Sequence, residues 1–208
     1  MSKAEPAGAI SRPRLIERAA YLVLVYTAFF ALYGLSNRLV SLAGCHDLTM
    51  ALDRRIPLMP LFIYPFYLAY PLMAAPGLII HDRALLRRTA LAFLALIATS
   101  CMLFLIFPVY VPRPASIPPS FAGELVLRIY RADRPVCGFP SLHVSCAVLA
   151  TLALFRERRL FGWMFLPFAA ATALATLFVK QHVAADVIGG AGLALMMDFA
   201  LIKPRSRA

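Results

Sequence analysis

The chain is short of charge, shorter still of acid, and nearly without cysteine. Only 15% of its 208 residues are Asp, Glu, Lys or Arg. No polar stretch is long enough to fold by itself, so residues 1–208 read as a single domain. Acidic residues number 10 against 21 Lys and Arg, a formal charge of +11. In a water-soluble chain that excess points to nucleic acid. Here the basic residues flank apolar runs, where they meet anionic lipid, and no nucleic-acid partner is expected. Four cysteines (Cys45, Cys101, Cys137 and Cys146) show no Cys-x-x-Cys spacing, which argues against a zinc ribbon or dithiol motif. Internal repeats and low-complexity tracts are absent.

What the chain does have is apolar sequence. It is 62% hydrophobic with mean hydropathy +0.77, where soluble chains sit near ~45–50% apolar. Six runs approach the ~20 residues that a bilayer crossing requires: Ala20–Val40, Pro57–Ile80, Ala90–Val111, Ser141–Phe155, Leu160–Val179 and Val183–Ile202. The expected fold is all-α, a polytopic membrane bundle of six transmembrane helices. Residues 1–19 form a basic N-terminal stretch, and the run after them is too long for a cleaved signal. The second run carries Pro57, Pro60, Pro65, Pro71 and Pro76, so it should be kinked, with neighbours satisfying the freed carbonyls.

With six crossings both ends lie on one side. That side holds 13 Lys and Arg and the other holds 8, so the ends are expected in the cytoplasm. A bacterial inner membrane, with the loops before runs four and six on its periplasmic side, fits that count. Cys45 and Cys137 fall on this outer side, where they are candidates for a disulfide. The outer loop 112–140 begins with Pro112, Pro114, Pro118 and Pro119 and is extended there. Phe121–Arg131 then reads as a short amphipathic helix, with Glu124, Arg128 and Arg131 on one face and Ala122, Leu125, Val126 and Ile129 on the other. It should lie in the membrane interface, within the loop between spans three and four, and roof the site.

The chemistry concentrates in Lys180-Gln181-His182-Val183-Ala184-Ala185-Asp186 and Phe139-Pro140-Ser141-Leu142-His143. His182 and Asp186 are one helical turn apart, and a carboxylate so placed can orient an imidazole and stabilise its cation. Helices starting at Ser141 and Val183 aim their N-termini at the same outer face, which favours an anion. Ser141 is an N-cap candidate able to donate to phosphate. Arg113, Arg134 and Lys180 supply fixed positive charge. Crowded cations disfavour a divalent metal on His143, His182 and Asp186, so neither metal nor cofactor is expected. Charges gathered at one end, rather than along a path, disfavour a channel.

These two stretches resemble the second and third motifs of the type 2 phosphatidic acid phosphatase superfamily, closest in flavour to its inositol-phosphorylceramide-synthase-like branch. The resemblance covers about residues 105–192. It implies that His182 attacks phosphorus to form a phosphohistidine, that Asp186 orients His182, and that His143 protonates the leaving alkoxide and then activates the acceptor. Arg113, Arg134, Lys180 and Ser141 are implied as phosphate contacts. Ile106 stands where the first motif has lysine, and Ala175-Thr176 where the third opens Ser-Arg. The expected activity is a membrane lipid phosphatase acting on a phosphatidic-acid-type ester or a polyprenyl diphosphate. The alternative is a phosphotransferase delivering a phosphoryl or phospho-headgroup to an acceptor alcohol. Lipid phosphate and membrane lipids are the expected partners; the oligomeric state is not legible in the sequence.

Overall fold

The computed structural model describes residues 12–203. Lys3, Arg205, Arg207 and most of the basic N-terminal stretch lie outside the described residues. Nine α-helices order the described chain: α1 Arg12–Leu39, α2 Ala51–Arg55, α3 Ile63–Tyr67, α4 Ala69–Ile79, α5 Arg83–Ile106, α6 Phe121–Ala132, α7 Leu142–Glu157, α8 Arg159–Phe178 and α9 Ala184–Met197. A 3-10 turn, Pro60–Phe62, precedes α3, and a π-helical turn, Asp198–Ile202, continues α9. The only strands among the described residues are β1 His46–Asp47 and β2 Val109–Tyr110, paired in parallel. The protein is an all-α membrane bundle.

Five segments are long and apolar enough to cross a bilayer: Leu15–Leu39, Pro60–Ile79, Arg83–Ile106, Arg159–Phe178 and Ala184–Ile202. The count of six is therefore not matched. The remaining run forms α7, whose 16 residues span only about 24 Å at 1.5 Å per residue, short of the ~30 Å hydrocarbon core. It is the bundle's centre, packed against α4, α5, α8 and α9. Leu149, Ala150, Ala153 and Leu154 on it are wholly buried. Lipid offers little hydrophobic gain when helices meet, so close contact between small residues holds such a helix. Gly190 on α9 allows one such close approach: a Cβ there would lie 2.6 Å from the Ser141 carbonyl oxygen.

The proline-rich run is kinked as expected, broken into the 3-10 turn, α3 and α4. Its carbonyls find partners on neighbouring helices. Tyr21 Oη donates to Met73 O at 2.9 Å, Tyr26 Oη to Tyr70 O at 2.7 Å, and Thr172 Oγ1 to Pro65 O at 3.3 Å. The third span begins earlier than hydropathy suggested. Asp82 accepts from Ala84 N and Leu85 N, so α5 starts at Arg83 and its first two turns are polar.

α6 docks its apolar face on α3 and α8 through Ala122, Val126, Ile63, Phe66, Ala175 and Val179. Its other face carries Glu124 with Arg128 and Arg131 at 4.0 and 3.7 Å, all largely exposed. Tyr130 Oη donates to Val179 O at 2.8 Å and fastens this roof to the α8 terminus.

Candidate active site

Two chain reversals build the site. The first is the entry to α7. Ser141 Oγ accepts from Val144 N and caps the helix. Ser141 N donates to Asp186 O at 3.0 Å, tying α7 to α9. Ser141 is fully buried and its amide is already used. Ser141 thus serves as a structural tie between α7 and α9.

The second reversal joins α8 to α9. Gln181 N and His182 N both donate to Thr176 O, at 3.0 and 3.1 Å. This hook needs Lys180 at φ +53°, a left-handed conformation that side chains other than glycine seldom take. Such a residue costs about 1–3 kcal/mol and persists only when its surroundings hold it. Here the Lys180 ammonium donates to Asp53 O and Ile56 O. Asp53 itself accepts from Ala184 N at 2.8 Å, capping α9 from outside. α2 is therefore a clamp on the turn that presents His182.

His182 Nδ1 lies 3.3 Å from Asp186 Oδ2, which also accepts Val183 N–H at 3.0 Å. That leaves Nε2 of His182 for another partner. The His143 and His182 ring centroids are 6.1 Å apart, so two imidazoles 39 positions apart in the chain share one small space. His143 is caged by Phe66, Tyr70 and Phe29, with centroids at 4.5, 5.9 and 6.1 Å. Its Nε2 is buried without a partner.

The cations divide between two tasks. Arg113 Nη1 donates to Tyr130 O and Asp133 O, and Nη2 to Gln181 Oε1 at 3.3 Å. Its Nε is buried and unpaired. Burial pulls the Arg113 guanidinium below its ordinary range, against the pull of Asp133. Burial also lowers Lys180, and Asp53 opposes it. Arg134 lines the gap that touches both histidines, and its Nη1 donates to Asn37 O, Arg38 O and Val40 O, the open carbonyls at the end of α1. This guanidinium also caps that helix. Cys45 and Cys137 are free thiols, not a disulfide.

Asp133 and Gln181 carried no expected role at the site, and Arg54 read as half of a loop pair with Arg55. Asp133 accepts from Tyr33 Oη at 2.7 Å and Asn37 Nδ2 at 2.9 Å. Burial raises its carboxyl above the ordinary range, offset by the Tyr33 hydrogen bond and by Arg113. Gln181 keeps a buried, unpaired Nε2 beside the histidines. Arg54 joins Arg113, Lys180 and His182 around a cavity. The available signal was Asn37 on an otherwise apolar helix, since amides in membrane helices are usually there to bond across a contact.

Cavities open on both sides of the histidine pair. One, about 290 Å³, is lined by Arg54, Arg113, Lys180 and His182 with Thr49 and Val111. The other, about 400 Å³, is lined by Phe29, Phe30, Tyr33, Phe66, Tyr70 and Ile129, with Asn37, Arg38, Asp133 and Arg134 also on its wall, and reaches His143. Between them a gap of about 10 Å³ touches both histidines, Asp133 and Gln181. It is about the minimum for one water.

No curated protein matches the chain. The family profile described as the PAP2 superfamily matches residues 59–200, about two-thirds of the sequence, and takes in every motif residue from Arg113 to Asp186. With the family so matched and the helices those of a membrane protein, this chain belongs to the PAP2 superfamily, whose members are phosphatases or phosphotransferases.

Proposed function

We propose that the protein is a lipid phosphate phosphatase working through a phosphohistidine on His182. The observation that carries this is the pair of imidazoles 6.1 Å apart, between a cation-lined cavity and an aromatic groove. A lipid chain suits the groove, and its phosphoryl group suits the side of Arg113 and Lys180. The scissile bond then lies at the constriction between them.

His182 Nε2 attacks phosphorus, and the P–O bond to the lipid breaks. Asp186 holds Nδ1 and stabilises the imidazolium that forms. His143, on the groove side, delivers a proton to the departing alkoxide. It must be protonated for that step, although its cage of rings disfavours charge. The incoming phosphate dianion offsets this by favouring a cation beside it. His143 then takes a proton from water, which attacks the phosphohistidine and frees both phosphate and His182. Arg113 Nε and the third Lys180 N–H are the donors left for equatorial oxygens, each worth about 3–4 kcal/mol in comparable anion sites. Arg134 and Ser141 contribute by fixing α1 and α7. The site opens on the non-cytoplasmic side, following the distribution of basic residues.

The deciding experiment is phosphate release from a lipid monophosphate by purified protein, paired with alkaline-quench labelling. Wild type should release phosphate and carry an acid-labile, alkali-stable phosphoryl group. His182→Ala should lose both, by about 10⁴-fold or more in rate. Unchanged release in that variant refutes the assignment. The Lys180 substitution pattern at the third motif favours transfer to an alcohol as the second reading. Mass spectrometry of lipid products with added alcohols separates transfer from hydrolysis.

A further inference from the structure

The cavity beside His182 has a wall that the family match leaves out. Thr49, Asp53, Arg54 and Ile56 all precede residue 59 and come from α2 and its flanks. We propose that this cavity is a subsite for a second anionic group of the phosphate class, bound against Arg54. This rests on His182 attacking phosphorus at the cavity's inner end.

Size is the first support. About 290 Å³ is roughly ten times the ~30 Å³ that a water occupies in the liquid, more than one phosphoryl group fills. The donor count is the second. Lys180 spends two of its three N–H groups on Asp53 O and Ile56 O, and Arg113 keeps Nε; both lie near the nucleophile and suit the scissile phosphate. Arg54 is exposed, makes no ion pair among the described residues, and stands on the wall that α2 adds. Charge is the third support. Asp53 is the only acid on the lining, and its carboxylate is already answered by Met50 N–H and Ala184 N–H. The Asp53 charge acts on Lys180 and Asp133 stands 3.9 Å from Arg113, whereas Arg54 acts on Asp47 only from beyond ion-pair distance and is the cation left for a further anion. That anion belongs either to the donor, as a lipid diphosphate, or to an acceptor alcohol that is itself phosphorylated.

Full-length protein in detergent tests this in two arms. In the first, kcat/KM is compared for a lipid diphosphate and a lipid monophosphate of the same chain. In the second, a lipid monophosphate is offered glycerol 3-phosphate or glycerol, and products are read by mass spectrometry. Wild type should prefer the partner with the extra anion in one arm, which identifies the source. Arg54→Ala should lower that preference ratio about 10-fold or more, the scale of a charge-assisted hydrogen bond. Arg54→Glu should lower it further, and Arg54→Lys should restore most of it. A ratio that Arg54→Ala leaves unchanged in both arms overturns the subsite while His182-dependent phosphate release stands. Release that survives His182→Ala removes the reading beneath it as well.

Discussion

The two ends of the bundle handle polar side chains in opposite ways. At the end where α7 finishes, each acid among the described residues has an answer. Asp198 takes Arg156 at 2.6 Å, Glu17 takes Arg87 at 2.7 Å and Arg83 at 3.2 Å, and Asp82 caps α5. Glu157 meets His81 at 3.5 Å and accepts its amide. At the histidine end, His143 Nε2, Gln181 Nε2, Asp186 Oδ1 and Arg113 Nε are buried with no protein partner. Buried polar groups normally find partners, because leaving one unmade costs about 1–3 kcal/mol. Several orphans cluster around the two imidazoles, as the proposed site requires of a place that receives a ligand. One end is built for stability and the other gives some of it up.

Substitutions can break this contrast. The largest effect belongs to His143→Asn, which should cut the rate about 10²–10⁴-fold with little change in thermal unfolding. The loss should shrink for an aryl phosphate, whose leaving group needs no proton. A loss of equal size for alkyl and aryl esters would end the acid role. Next comes Asp198→Ala, at the opposite end. Removing one member of a buried pair costs about 3–5 kcal/mol. The Arg156 side chain is 35% exposed, so water screens it and about 2 kcal/mol is the expected loss. Melting in detergent should fall while turnover per folded molecule stays at the wild-type level. Lost turnover without lost stability would erase the distinction between the ends.

The sequence made one end far more legible than the other, and the reason is local spacing. His182 and Asp186 sit one turn apart, Ser141 precedes an apolar run, and α6 shows its two faces over a dozen residues. Each of those is a short-range pattern. Arg134 and Ser141 were legible as site residues, but their ties to the end of α1 and to Asp186 were not, because these are contacts between distant segments. Asp133, Arg54 and the α2 clamp were missed for the same reason: nothing beside Asp53 in the chain says that it caps α9. The span count was not matched at α7 because hydropathy measures apolar content, while α7, shielded by other helices, runs between the two ends in only 16 residues.

The smallest expected effect tests whether the clamp serves chemistry or only shape. Burial lowers the Lys180 ammonium below the ordinary lysine range, with Asp53 opposing. Its charge is therefore lost at a lower pH than that of a free lysine, near ~10.4. If that charge stabilises the transferring phosphoryl group, activity should decline on the alkaline side before free lysines titrate. Lys180→Arg keeps the cation at every accessible pH and should move that limb upward. The planar guanidinium cannot reproduce both carbonyl bonds to α2, so the rate at the optimum should drop a few-fold, on the order of 1 kcal/mol. A purely structural lysine predicts the drop alone, with the limb unmoved. Asp198→Ala, which touches only the paired end, should leave the limb where wild type has it.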